Sequence, residues 1–360
     1  MDNNFVCPKC GNTDSRYIGY KNGVPYCRKC ITFNSKTSVN DEYEVSGYAP
    51  YLLNYDLSEE QTYLSNQLVT NFKNHKNSLV HAVCGSGKTE IVLKIISYAI
   101  TNNMMVGFAV PRRDVIIELY DRFFSIFKNN SIALVYGGHT SNLFGDLICC
   151  TTHQLYRYPN YFDLLILDEV DAFPFKGNDV LNSFFLKSVK GNYVMMSATP
   201  DEELLKSFKN SGGEIVELYS RFHKYPLPVP SIYCGNNYLL KFKLYRLIKQ
   251  FNKLGKQVFI FTPTINECES LFSFLKLLLK KGDYVHSKRI DRSETIERFR
   301  KKKSMYLVTT AVLERGVTYN NLQVIVFKAD HDIYTSHTLT QIAGRVGRKK
   351  DNPEGEVIYI

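Results

Sequence analysis

The run Leu79-Val80-His81-Ala82-Val83-Cys84-Gly85-Ser86-Gly87-Lys88-Thr89-Glu90 passes from apolar residues through glycines to a lysine and a threonine, then enters a helical pattern. It predicts a phosphate cradle. Gly85, Ser86 and Gly87 offer backbone N–H groups to a triphosphate, Lys88 reaches its β and γ oxygens, and the Thr89 hydroxyl holds Mg²⁺. A glycine-rich turn between strand and helix is the bland alternative. Further along, the apolar Leu164-Leu165-Ile166-Leu167 ends in Asp168-Glu169-Val170-Asp171. Asp168 is placed to bind the metal that bridges the phosphates, and Glu169 to orient and deprotonate the attacking water. Ser197-Ala198-Thr199-Pro200 closes the next apolar run. The hydroxyls of Ser197 and Thr199 are expected to relay the state of the phosphate site, the alternative being a turn that caps a helix at 201–203. Arg345 and Arg348 are three residues apart and would share one helix face. They suit arginine fingers, or else a solvated basic helix end.

Four cysteines form a second constellation. Cys7-Pro8-Lys9-Cys10 and Cys27-Arg28-Lys29-Cys30 have the doubled C-x₂-C spacing that brings four thiolates to one tetrahedral Zn²⁺. So small a module needs the metal for stability. Lys9, Lys21, Arg28 and Lys29 leave open whether it also meets nucleic acid. Cys84, Cys149, Cys150, Cys234 and Cys268 sit in apolar contexts and are expected in the core.

These residues need a frame, and 360 residues suffice for two or three domains. Hydrophobic residues at 44% and charged ones at 22% are ordinary for a globular protein. No apolar run is long enough to cross a membrane, and Met1-Asp2-Asn3-Asn4 lacks the features of a signal peptide. A cytoplasmic protein is therefore expected, with its cysteines reduced or metal-bound. The formal net charge of +10 favours a polyanionic partner, and ten of the 24 residues from 280 to 303 are basic. After a connector at 37–56, a helix starts near Ser58, with Gln61 in the capping-box position. Strands are predicted at 104–110, 132–136, 146–151, 161–167 and 193–197, alternating with helices as in a parallel doubly wound sheet. Pro226, Pro228 and Pro230 suggest a stiff linker. A second series follows: helix 239–254, strand 257–261, helix 267–279, strand 304–310 and strand 324–328. It has no cradle of its own, so ATP is expected between two similar α/β units.

Together these segments resemble superfamily 2 helicases, and more narrowly the ComFA family of late-competence DNA-uptake ATPases. The resemblance is carried by the cradle phrase, Pro111-Arg112-Arg113-Asp114-Val115, Asp168-Glu169-Val170-Asp171-Ala172-Phe173-Pro174, Leu313-Glu314-Arg315-Gly316-Val317-Thr318 and Gln341-Ile342-Ala343-Gly344-Arg345-Val346-Gly347-Arg348, preceded by the four-cysteine module. It implies a zinc module (1–36), a connector (37–56), a RecA-like ATP-binding domain (57–220), a linker (221–232) and a second RecA-like domain (233–360). It implies that Gln61 reads adenine, that Gly316 joins the ATP site, and that Gln341, Arg345 and Arg348 serve the γ-phosphate. Arg112, Thr151, Thr152, Thr262, Thr309 and Thr310 would line the nucleic-acid groove. It further implies a single-stranded-DNA-stimulated ATPase that draws the incoming strand through a membrane channel, at the inner membrane face, with ComFC-like and DprA-like competence proteins as partners. An RNA helicase, a PriA-like restart helicase and a non-catalytic zinc-containing scaffold are the alternatives. The chain departs from the family in having no Trp, offering Tyr51 and Tyr55 before the adenine-reading helix. Its sequence stops at Ile360, where relatives run further, so a late element of theirs is expected to be missing.

Overall fold

A computed structural model describes residues 5–33, 39, 43–83, 85–219, 227–310, 319–347 and 352–360. The expectations for Cys84, Gly316 and Arg348 lie outside the described residues. The chain divides into two compact units, Met1–Tyr219 and Ser220–Ile360.

Unit 1 opens with an antiparallel hairpin, β1 (Ile18–Lys21) and β2 (Val24–Cys27). Its main sheet has seven parallel strands: β3 (Ser78–Ala82), β4 (Val106–Val110), β5 (Ile132–Val135), β6 (Leu147–Thr151), β7 (Phe162–Leu167), β8 (Val189–Ser197) and β9 (Glu214–Leu218). The order β5-β6-β4-β7-β8-β3-β9 puts the long apolar runs inside, where both faces are covered. Helices α1 (Glu59–Lys73), α2 (Lys88–Ile91), α3 (Leu93–Thr101), α4 (Arg113–Ile126), α5 (Asp179–Ser188) and α6 (Glu202–Asn210) belong to the same unit. Because β7, β8 and β3 are adjacent, the acidic turn, the Ser-Ala-Thr turn and the cradle emerge side by side at one sheet edge. Arg112 and the pair Thr151 and Thr152 leave the same edge after β4 and β6. Ligand sites of open α/β sheets lie at this carboxyl end.

The expected connector is a strap on the sheet unit. Tyr43, Val45, Ala49, Tyr51 and Leu53 join the core of β3, β4 and α3. Its anchor is Asp146, which accepts the Ser46 N–H at 2.9 Å, the Asn130 amide at 2.9 Å and the Ser131 N–H at 3.2 Å. Aperiodic sequence hid this, because extended chain tied to one buried carboxylate needs no amphipathic repeat.

The cysteine hairpin docks on the same unit. Phe33 meets His153, Tyr156 and Phe184 at ring separations of 6.0, 5.6 and 5.1 Å, and Lys187 donates to the Pro8 carbonyl at 2.5 Å. Val39 N–H reaches the Arg157 carbonyl at 2.8 Å. The four cysteines thus share a core cluster with Leu165 and Leu167 of β7.

Unit 2 holds six parallel strands: β10 (Ser231–Ile232), β11 (Gln257–Phe261), β12 (Gly282–Val285), β13 (Tyr306–Thr309), β14 (Leu322–Val326) and β15 (Val357–Tyr359), in the order β10-β15-β14-β11-β13-β12. Its helices are α7 (Asn237–Lys253), α8 (Ile265–Leu278), α9 (Arg292–Arg300) and α10 (Ser336–Ala343). The edge strands β9, β10 and β12, and β15 between β10 and β14, were not legible in sequence: they are short, and their pairing depends on distant partners. In the basic stretch from 280 to 303, part of the charge is matched to acids of the same stretch. Arg298 bonds Asp283 at 2.7 Å, Arg289 bonds Asp291 at 2.7 Å, and Lys301 bonds Glu297 at 3.3 Å.

Candidate nucleotide site and four-cysteine centre

Gly85 and Gly87 have φ of 83° and 86°, a left-handed backbone that lets the loop turn from β3 into α2. A Cβ on Gly87 would lie 2.3 Å from Gln61 Nε2. That amide donates to the Ser86 carbonyl at 2.7 Å, while Gln61 Oε1 accepts the Ser58 N–H at 3.0 Å in a complete capping box. Gln61 therefore ties the start of α1 to the cradle, a role that its expected reading of adenine did not include. Lys88 Nζ lies 3.4 Å from Asp168 Oδ1, and the same oxygen accepts the Glu169 N–H at 2.8 Å. Glu169 has φ of 58°. Such a conformation costs a non-glycine residue free energy and persists only where neighbours impose it, as they do here. Asp168 N–H bonds the Ala109 carbonyl, Val170 N–H the Met196 carbonyl and Ala172 N–H the Glu169 carbonyl. Ammonium, carboxylates and the Thr89 hydroxyl suit a magnesium triphosphate: hard oxygen donors for the cation and a point charge for the phosphates.

Asp171, to which the sequence reading gave no role, joins the Ser-Ala-Thr turn. Ser197 Oγ donates to Asp171 Oδ1 at 2.9 Å, and Thr199 Oγ1 to Oδ2 at 3.4 Å. Ser197 Oγ also accepts the Thr199 N–H at 3.0 Å. The Ser-Ala-Thr turn does not cap α6, because Asp201 does so by accepting the Leu204 N–H at 2.9 Å. Removing the acceptor strands two hydroxyls, worth about 1.5–3 kcal/mol for a bond to a charged group. Asp171→Ala is therefore expected to cut nucleic-acid-stimulated ATPase by roughly 10- to 100-fold. Its unstimulated rate should change far less; an unaltered stimulation ratio in a phosphate-release assay would refute the relay.

Near the cradle, Tyr55 donates to Glu90 Oε1 at 2.7 Å, and Arg122 pairs with the same carboxylate. Burial and that carboxylate push the Tyr55 phenol up to about 12. Tyr51 instead packs on Phe127 at 6.0 Å. Of the two tyrosines offered in place of the family's tryptophan, only Tyr55 is held at the nucleotide loop.

The threonines expected at the nucleic-acid groove lie at or just beyond strand ends. Thr262 Oγ1 donates to the Thr309 carbonyl at 3.2 Å, and Thr309 Oγ1 to the Thr310 carbonyl at 3.0 Å. Thr152 is fully buried, and Thr151 and Thr310 are nearly so. The Thr262 and Thr309 hydroxyls thus tie down strand ends, whereas the buried Thr152 hydroxyl has no hydrogen-bond partner among the described residues. Arg112 stands at the start of α4 and is half-exposed, compatible with its expected role. In unit 2, Gln341 lies on α10 and Arg345 just beyond it, Arg345 being only 2% exposed. A buried guanidinium is unlike the solvated helix end that was its alternative reading. Cys149, Cys150 and Cys268 are buried as expected, whereas Cys234 is exposed.

The four N-terminal sulfurs lie within 4.8 Å of one another, with Cys7 and Cys30 at 3.5 Å and Cys10 and Cys27 at 3.6 Å. A disulfide would need about 2.05 Å. A tetrahedron with Zn–S bonds of about 2.3 Å has edges of about 3.8 Å. The donor set therefore fits zinc.

The family model described as type III restriction enzyme, res subunit, matches residues 54–202, and that described as helicase conserved C-terminal domain matches 241–350. Yeast Dbp5 bound to RNA and ADP BeF3 has the same fold, with a TM-score of 0.66 at 17% identity over 84% of this chain and 88% of that one. Two RecA-like parallel sheets, one bearing a phosphate cradle and acidic turn, define an ATP-hydrolysing helicase of superfamily 2, whose substrate is nucleic acid. Competence protein ComFA of Bacillus subtilis is 35% identical over 99% of this chain and 81% of that protein, and ComFA of Streptococcus pneumoniae is 34% identical over 99% and 86%. The chain belongs to the ComFA family. Among the described residues no helix is long and apolar enough to cross a membrane.

Proposed function

We propose that this helicase is a single-stranded-DNA translocase serving DNA uptake during competence. The observation that carries the reading is whole-length similarity to two competence proteins, joined to a cradle, acidic turn and Ser-Ala-Thr turn on adjacent strands. Bound MgATP supplies the phosphoanhydride to be cleaved and a cation that offsets its charge. Lys88 and the cradle N–H groups orient the phosphates, Thr89 and Asp168 hold the cation, and Glu169 takes the proton of the attacking water. Gln341, Arg345 and Arg348 serve the γ-phosphate. Asp171, Ser197 and Thr199 pass the change onward, and Arg112 contacts the DNA backbone. The cysteine centre holds structural Zn²⁺. Peripheral work at the inner membrane face with ComFC-like and DprA-like partners completes the reading.

The test is phosphate release titrated with single-stranded DNA, RNA and forked duplex. Single-stranded DNA is expected to stimulate most, with an effect that weakens as salt rises. Preferential stimulation by RNA or forks would favour an RNA or PriA-like helicase, and no hydrolysis under any condition would leave the scaffold alternative.

A further inference from the structure

We infer that the cysteine hairpin is a second single-stranded-DNA contact, built on Tyr17 and Tyr20 and the cations around them; the inference rests on the translocase reading. Residues 5–33 contain five basic side chains, Lys9, Arg16, Lys21, Arg28 and Lys29, against one acid, Asp14. Asp14 is consumed by Arg16 at 2.6 Å. Among the described residues no carboxylate forms an ion pair with Lys21, Arg28 or Lys29. Lys21, Arg28 and Lys29 thus leave positive charge on a small module for a polyanion, whereas Arg289 and Arg298 of 280–303 are each matched to an acid.

The same hairpin presents rings. Tyr20 is 64% exposed on β1, beside Lys21, and pairs across the ladder with Pro25. Tyr17 is 40% exposed, with the Lys29 ammonium 4.7 Å from its ring centroid. Tyr26 instead lies over Gly19, where a Cβ would be 2.5 Å from its ring, so it serves the hairpin itself. Exposed aromatics among unpaired cations are what sequence-tolerant binding of unstacked bases requires: rings for the bases and charge for the phosphates. Duplex DNA, its bases already stacked, gains nothing from the rings. The hairpin also sits beside the DNA path proposed for unit 1. Phe33 and Val39 fasten its segment to the turn Thr152–Arg157, which leaves the same sheet edge as Arg112.

The experiment measures binding of full-length protein to fluorescent oligo-dT by anisotropy across a salt series. Tyr17→Ala/Tyr20→Ala is expected to weaken binding by about 10-fold or more, since one stacked base is worth about 1–3 kcal/mol. Tyr17→Phe/Tyr20→Phe should bind as wild type, because stacking needs the ring and not the hydroxyl. Lys21→Glu/Arg28→Glu should flatten the salt dependence by about two phosphate contacts. Metal content and melting temperature check that each variant is folded, and unstimulated ATPase should not change. Wild-type affinity and salt slope in the alanine and glutamate variants would overturn the hairpin site alone. Wild-type protein that ignores oligo-dT, or prefers RNA, would overturn the translocase reading and this site with it.

Discussion

Glu169→Gln is expected to reduce ATP turnover by about 10²- to 10⁴-fold while leaving ATP binding intact, the range assigned to loss of a positioned general base. Its backbone explains why the fold should survive. Glu169 sits at φ of 58°, in a turn fixed by the Asp168 carboxylate and by main-chain bonds to β4 and β8. Glutamine fills the same volume at the same backbone cost, so only basicity is lost. Lys88→Ala acts differently, removing the ammonium 3.4 Å from Asp168, and should impair both nucleotide binding and turnover. Phosphate release with a separate nucleotide-binding measurement distinguishes the two. Turnover within a few-fold of wild type in Glu169→Gln would remove Glu169 from the proposed chemistry.

Stripping metal from the cysteine centre is expected to unfold the hairpin and loosen the face of unit 1 beneath it. Structural zinc contributes on the order of 10 kcal/mol to the folding of modules this small, which lack a core of their own. Here the buried sulfurs join the cluster containing Leu165, Leu167 and Phe184, so the loss should spread to α5 and the turn at 152–157. Hydrogen exchange before and after chelation reports it: protection of residues 7–33 should collapse, and that of 152–158 should fall. Burial also pushes the Cys10 thiol up to about 11, so a metal must displace protons from this sulfur, and its retention should weaken as the pH is lowered. Unchanged exchange after complete chelation, or absence of zinc from reduced protein, would exclude a structural zinc centre.

The chemistry was legible in the sequence because its signals are local. Gly85-Ser86-Gly87-Lys88-Thr89 must be contiguous to wrap a phosphate, Asp168 and Glu169 must follow one strand, and paired C-x₂-C knuckles must be tight. The long apolar runs of β4, β6, β7 and β11 likewise announced buried parallel strands. The tertiary structure decided what depends on distant partners. Sheet order put β7, β8 and β3 together, which made Asp171 the acceptor for both Ser197 and Thr199, residues 26 and 28 positions away. It turned the hydroxyls of Thr262 and Thr309 inward, since a hydroxyl at a buried strand end bonds the nearest carbonyl when no solvent reaches it. It fastened the aperiodic strap to Asp146, about 100 residues on, and spent Arg289 and Arg298 of the basic stretch on neighbouring acids. Spacing along a chain fixes which groups can cooperate within one turn; only the crossing of strands fixes which turns meet.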